Sequence, residues 1–147
     1  MTVRPVPTPS APPVAGPYSP AVRAGDWLVL AGQLGLDPAT GALVAGGAPA
    51  EARQALANVG AILRDCGAEW DDVAKVGIFL TDLASFATVN ALYEEAVGAH
   101  RPARTTLEVA ALPAGAAVEI ECWVYRPVGN AIGPGAVEHD NPSEEDR

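Results

Sequence analysis

The chain has 147 residues, the size of a single domain, and 49% of them are hydrophobic, enough for a compact core. Its formal charge of −9 is uneven, because Glu138, Asp140, Glu144, Glu145 and Asp146 against Arg147 put −4 in the tail and leave −5 on the body. An acidic body lacks the basic footprint that nucleic acid or an anionic membrane surface requires, so neither is expected as a partner. The two cysteines, Cys66 and Cys122, lie within apolar patterns and outside any C-x-x-C or Cys/His spacing, which favours buried thiols over a disulfide or a metal site. The N-terminus lacks the apolar core of a signal peptide and no run approaches bilayer length, so a soluble cytoplasmic protein is expected.

Residues 1–14 are rich in proline and predict an extended segment without a helix. Tyr18 follows the Gly16-Pro17 turn signal, which either aims its hydroxyl at a fixed spot or leaves it packed on the surface. Val22–Ala24 and Trp27–Ala31 flank Gly25-Asp26 as a short hairpin. Gly32 ends that hairpin as a plain turn glycine or as a point where a ligand meets the backbone, and Asp37-Pro38-Ala39-Thr40-Gly41 is a turn. Residues 49–66 give the clearest helix, with Ala52, Ala55, Leu56, Val59, Ile62, Leu63 and Cys66 on one stripe and Gly67 as the stop. Glu51, Arg53, Arg64 and Asp65 fall off that stripe and read as a solvated face.

Val73–Leu80 is apolar on both faces except at Lys75, as in a central strand covered on both sides. Asp82–Ser85 supplies a turn with caps. Phe86–Val97 is a second helix with Phe86, Val89, Tyr93, Ala96 and Val97 inward, ended by Gly98, and Asn90 stands beside that stripe. After Pro127 the chain turns Gly-rich and acidic, and residues 128–147 are expected to be a disordered tail.

Between the second helix and that tail, Arg101-Pro102-Ala103-Arg104-Thr105-Thr106-Leu107-Glu108-Val109 leaves a proline-bounded loop and enters a strand. In Val118–Tyr125 the residues Val118, Ile120, Cys122 and Val124 take one face, while Glu119, Glu121, Trp123 and Tyr125 take the other. The connection over residues 110–117 is long enough to pair the two as a hairpin, which would bring Arg104 near carboxylates on its neighbour. An Arg facing a Glu across a hairpin is most simply an ion pair, and otherwise an anion site with an acid left to handle water or protons. The order is therefore β-β-α-β-α-β-β, an α+β fold with two helices on one face of a mixed sheet. The other face keeps Trp123 and Tyr125 exposed and calls for association.

Several blocks in register carry a resemblance over roughly residues 14–127. They are Gly16-Pro17-Tyr18-Ser19-Pro20, the run from Gly32 to Gly41, Gln54-Ala55-Leu56-Ala57-Asn58-Val59, the run from Phe86 to Tyr93, Pro102-Ala103-Arg104 and Glu119-Ile120-Glu121. Together they resemble the RidA/YjgF family of reactive intermediate deaminases. The resemblance implies a domain over residues 15–127 with a chorismate-mutase-like fold, assembled as a homotrimer with sites in the clefts between subunits.

No Ser/His/Asp arrangement is available, since His100 is isolated in a loop and His139 lies in the tail, and no phosphate loop, dinucleotide fingerprint or zinc spacing occurs. What remains is chemistry without metal or cofactor. The resemblance implies a hydrolase that converts enamine and imine intermediates, of the 2-aminoacrylate and 2-iminobutanoate type, to 2-keto acids and ammonia. In that pattern Arg104 clamps the substrate carboxylate, Glu119 handles the water and its proton, and Tyr18 closes the pocket. Gly32, Asn90 and Thr106 are substrate contacts.

The sequence departs from many members at Ala31, where a hydroxyl is absent, at Thr105-Thr106, where some carry a Cys, and in the short loop before Pro102. Two other classes stay open: a non-catalytic receptor or regulator for small carboxylates, and a specialised pathway enzyme acting on another imine.

Overall fold

The computed structural model describes residues 2–129, so the expectation for the tail from residue 130 onward lies outside the described residues. Eight elements build the chain. They are β1 (Arg4–Pro5), β2 (Ala21–Ala24), β3 (Trp27–Leu34), α1 (Gly47–Asp65), β4 (Val73–Leu80), α2 (Phe86–Val97), β5 (Ala103–Glu108) and β6 (Val118–Tyr125), with three short 3-10 turns between them. They form one mixed six-stranded sheet in the order β1-β2-β3-β6-β4-β5, with α1 and α2 on one face.

The sequence expectations for β4 and α2 match the observed bounds, and α1 begins two residues earlier than expected and ends one earlier. The local causes are visible. Asp82 accepts a hydrogen bond from the Ala84 amide at 2.8 Å before α2, and Gly98 ends that helix with its own amide bonded to Glu94 O. Leu28, Leu30, Val59, Ile62, Leu63, Val76, Ile78, Leu80, Ile120 and Val124 are buried between the helices and the sheet. Each such aliphatic side chain contributes about 1.5–3 kcal/mol.

Four expectations need correction. A sixth strand, β1, is present, because the N-terminal segment is tied down: Arg4–Pro5 pairs with β2, and Val6 N donates to Ala21 O at 3.0 Å. The hairpin expected between β5 and β6 does not form, since β4 lies between them, parallel to β5 and antiparallel to β6. β6 buries four alternating apolar residues and takes the middle of the sheet, while the more polar β5 takes the edge, where half-exposed positions cost least.

Glu51 is not on a solvated face but buried, and it accepts the Ala117 amide at 2.6 Å. It faces inward because α1 crosses the sheet at Gly35, where any side chain would strike the Glu51 Cα at 2.5 Å. Finally, β4 is covered by helices on one face only; Lys75, Gly77 and Phe79 lie on the face that no helix covers.

That open face is broad. Trp123 is 44% exposed and Tyr125 48%, and the Trp27 and Tyr125 rings meet edge to face at 5.3 Å. Leu107 at the sheet edge is exposed as well. These exposed rings and Leu107 share one sheet face with Lys75, Glu119 and Glu121, and such a cluster of large hydrophobics marks an association surface more often than scattered surface residues do.

Candidate active site

Arg104 sits on the second residue of β5, level with Val76 of β4 and Cys122 of β6, both buried beneath the helices. Its side chain therefore rises on the helix-covered face, against the start of α2. There Asn90 Oδ1 accepts from Arg104 Nη1 at 2.7 Å. The guanidinium carbon lies 4.9 Å from the centre of the Tyr93 ring and 5.7 Å from that of Phe86. Phe86, Asn90 and Tyr93 stand four and three residues apart, so one helical face delivers all three to the guanidinium. Two rings and one amide fix the fork's plane while using one of its five N–H donors.

The neighbouring Arg101 is differently employed, on the Gly98 and His100 carbonyls and on Glu94 at 3.0 Å. That exposed ion pair adds little stability. Arg104 is thus the guanidinium left open toward the adjoining hollow of about 390 Å³, which Asn90, Tyr93 and Pro102 also line. Burial pushes the Tyr93 phenol up and the Arg104 charge opposes it only in part, so the ring stays neutral.

Glu119 stands on the opposite face. It alternates with the buried Val118 and Ile120 and is level with Leu34 of β3 and Phe79 of β4. Its side chain lies across Gly32, where an added Cβ would fall on the Glu119 carboxylate and come within 2.8 Å of its Cδ. Gly32 is thus the residue that lets the acid lie flat on the strand, next to the register shift between Leu30 and Gln33.

Burial lifts the Glu119 carboxyl above the ordinary glutamate range, and the nearby Glu121 charge lifts it further. Glu121 occupies the matching place over Gly77, where a Cβ would meet its Cγ at 2.9 Å. Tyr18, half exposed, lines the same hollow as Gly32 and Glu119, about 560 Å³ in volume.

The residues singled out from sequence therefore fall into two groups. Tyr18, Gly32 and Glu119 share one hollow; Arg104 and Asn90 share another. Thr106 belongs to neither lining. It lies two residues beyond Arg104 on the same face of β5, its hydroxyl buried without a hydrogen-bond partner. Sequence reasoning assigned Phe86 and Tyr93 to the core stripe; Tyr93 is buried there, Phe86 instead stays exposed at the helix start, and their place against Arg104 was missed. The available signal was their spacing from Asn90. It also missed Pro12 and Pro13 beside the Glu119 hollow.

A third hollow of about 420 Å³, between Arg53 and Trp70 on the outer side of the helices, holds none of the expected residues. Cys122 is buried, and burial pushes its thiol up to about 12, which leaves it an inert core residue. Among the described residues no helix is long and apolar enough to cross a membrane.

Comparison with known proteins places this arrangement. Residues 8–126 match the family model described as Endoribonuclease L-PSP. The 2-iminobutanoate/2-iminopropanoate deaminase of Bos taurus is 46% identical over 114 residues, covering 78% of this chain and 83% of the relative. The crystal structure of RidA from an Antarctic Psychrobacter species is similar with a TM-score of 0.78 and 41% identity, over 82% of this chain and 97% of that one. The YjgF gene product of E. coli is similar with a TM-score of 0.77 and 38% identity, over 84% of this chain and 98% of that one. By sequence and by fold alike, the chain belongs to the RidA/YjgF family, the family whose model is described as Endoribonuclease L-PSP.

Proposed function

We propose that the protein hydrolyses imines of small 2-keto acids, releasing ammonia, in clefts between the subunits of a homotrimer. In each cleft one subunit supplies Arg104 and Asn90, and its neighbour supplies Tyr18, Gly32 and Glu119. The observation that carries the reading is the held but unsaturated guanidinium of Arg104, with a single protein hydrogen bond among the described residues. A planar fork fixed in this way is suited to two-pronged capture of a carboxylate. The bovine relative named as an imine deaminase supports the substrate class, and the apolar face bearing Trp27, Trp123 and Tyr125 supports association.

The chemistry follows from these groups. The imine carbon is already electrophilic, so the protein's task is to hold the carboxylate, place a water and move protons. Glu119 takes a proton from water as its oxygen bonds to the imine carbon, then returns a proton to nitrogen. A second transfer by way of Glu119 carries the hydroxyl proton of the resulting carbinolamine to nitrogen, the C–N bond breaks, ammonia leaves and the carbonyl of the 2-keto acid remains. A carboxyl lifted toward neutrality is well matched to both transfers. Tyr18 closes the pocket and offers a hydroxyl. No electron changes hands, so the steps ask for no redox cofactor.

The test is ammonia release from imines generated by an amino-acid oxidase. Arg104→Ala should abolish the acceleration while leaving assembly intact, a loss of about 30- to several-thousand-fold. Arg104→Lys should restore little of it, because a point charge cannot reproduce the fork. Wild-type-like release from a folded Arg104→Ala protein would defeat the assignment.

A further inference from the structure

The hollow beside Glu119 is much larger than a four-carbon acid requires. Within one subunit it measures about 560 Å³ and is open on the side that Arg104 and Asn90 of a neighbouring subunit would close in the proposed trimer. Away from Tyr18, Gln33 and Glu119 its lining is apolar, with Pro12, Pro13, Leu36, Pro113 and Ala114 among the contributors.

The N-terminal wall of this hollow is anchored at two points. Val6 N bonds to Ala21 O at 3.0 Å, and Ser10 donates from both its amide and its hydroxyl to the Asp65 carboxylate, each at 2.8 Å. The turn at Gly41 runs beside the same wall, since a Cβ placed there would lie 3.5 Å from the Pro13 ring. Proline rings arrive with φ already fixed, so a wall built from them loses little freedom when a ligand packs on it.

We propose that Pro12, Pro13, Leu36 and the Pro113-Ala114 rim form a side-chain pocket. It selects imines of 2-keto acids with bulky apolar side chains, branched or aromatic, over those with methyl or ethyl. This rests on the imine-hydrolase reading of the same site and extends it to substrate class. Each additional CH₂ buried against the proline wall should raise kcat/KM about 4-fold, so an isobutyl side chain, two carbons larger, should exceed ethyl by about 15-fold.

The experiment measures kcat/KM on oxidase-generated imines with methyl, ethyl, isobutyl and benzyl side chains. In parallel, calorimetry titrates the four corresponding 2-keto acids, which reads the pocket without turnover. Ala15→Leu and Ala114→Leu fill the hollow from two separate loops and should each lower the isobutyl-to-ethyl ratio about 10-fold. Ala114 already holds a positive φ of 57° as a non-glycine residue, and leucine, which has no β-branch, is better tolerated there than valine or isoleucine would be.

A ratio that rises along the series and collapses in either folded variant supports the pocket. A flat or falling series with ethyl turnover intact overturns it. Absence of turnover on every imine overturns the hydrolase reading alone; the keto-acid affinities then decide the pocket, and a flat affinity series sinks it.

Discussion

Arg104 and Glu119 stand on opposite faces of one sheet, with strand β4 between the two strands that carry them. Arg104 is level with the buried Val76 and Cys122, whereas Glu119 alternates with the buried Val118 and Ile120 and points away from the helices. No small ligand within a single chain touches both. Mixing Arg104→Ala and Glu119→Gln subunits should therefore regenerate activity that neither variant has alone. With random exchange at equal proportions, about a quarter of shared clefts receive both intact residues. Activity that fails to return after unfolding and co-refolding of the mixture would place the site within one chain.

The raised carboxyl of Glu119 makes a pH prediction. A group whose pKa is higher in the folded state binds its proton more tightly there. Its contribution to stability is thus present below the ordinary value of 4.5 and is lost as pH rises through the folded pKa. If Glu119 acts as the base, the acid limb of kcat/KM should lie above 4.5. Burial is the larger cause and Glu121 the smaller, so Glu121→Gln should move that limb downward without abolishing it. A limb unchanged in Glu121→Gln would show that another group sets it.

Gly32→Ala tests the acid's position rather than its chemistry. The new Cβ would occupy the place of the Glu119 carboxylate, so the side chain must swing away. A displacement of about 1 Å costs roughly 100-fold in rate. The loss should appear in kcat with the melting temperature little changed. Wild-type kcat in this variant would show that Glu119 is not held in a working position over Gly32.

Two buried polar residues on α1 should matter for stability and not for turnover. Asn58 donates to Leu34 O at 3.1 Å and Leu36 O at 2.9 Å and accepts from Gln54 at 2.9 Å; Glu51 holds the Ala117 amide. Asn58→Ala or Glu51→Ala leaves buried partners unsatisfied and should cost about 1–3 kcal/mol each. Denaturant midpoints should fall accordingly, while ammonia release per folded molecule stays near wild type.

The sequence alone determined the elements whose cause is local. β4 and α2 were legible to the residue, and the β2–β3 hairpin nearly so, because alternation, helical spacing and glycine stops are properties of neighbouring residues. The alternation of Val118–Tyr125 likewise showed that Glu119 shares a face with Trp123. The identity of Arg104 and Glu119 as candidates came from the family pattern in the sequence.

Only the tertiary structure decided which strands are neighbours. A periodic pattern tells each strand which face to bury but not which edge to pair, and that choice depends on competition among all six strands for the middle of the sheet. β6 took the middle, β5 the edge, and the expected hairpin gave way to Arg104 and Glu119 on opposite faces of the sheet. The same logic turned Glu51 inward: its burial follows from how closely α1 crosses the sheet at Gly35, a contact between residues sixteen apart that no local spacing encodes.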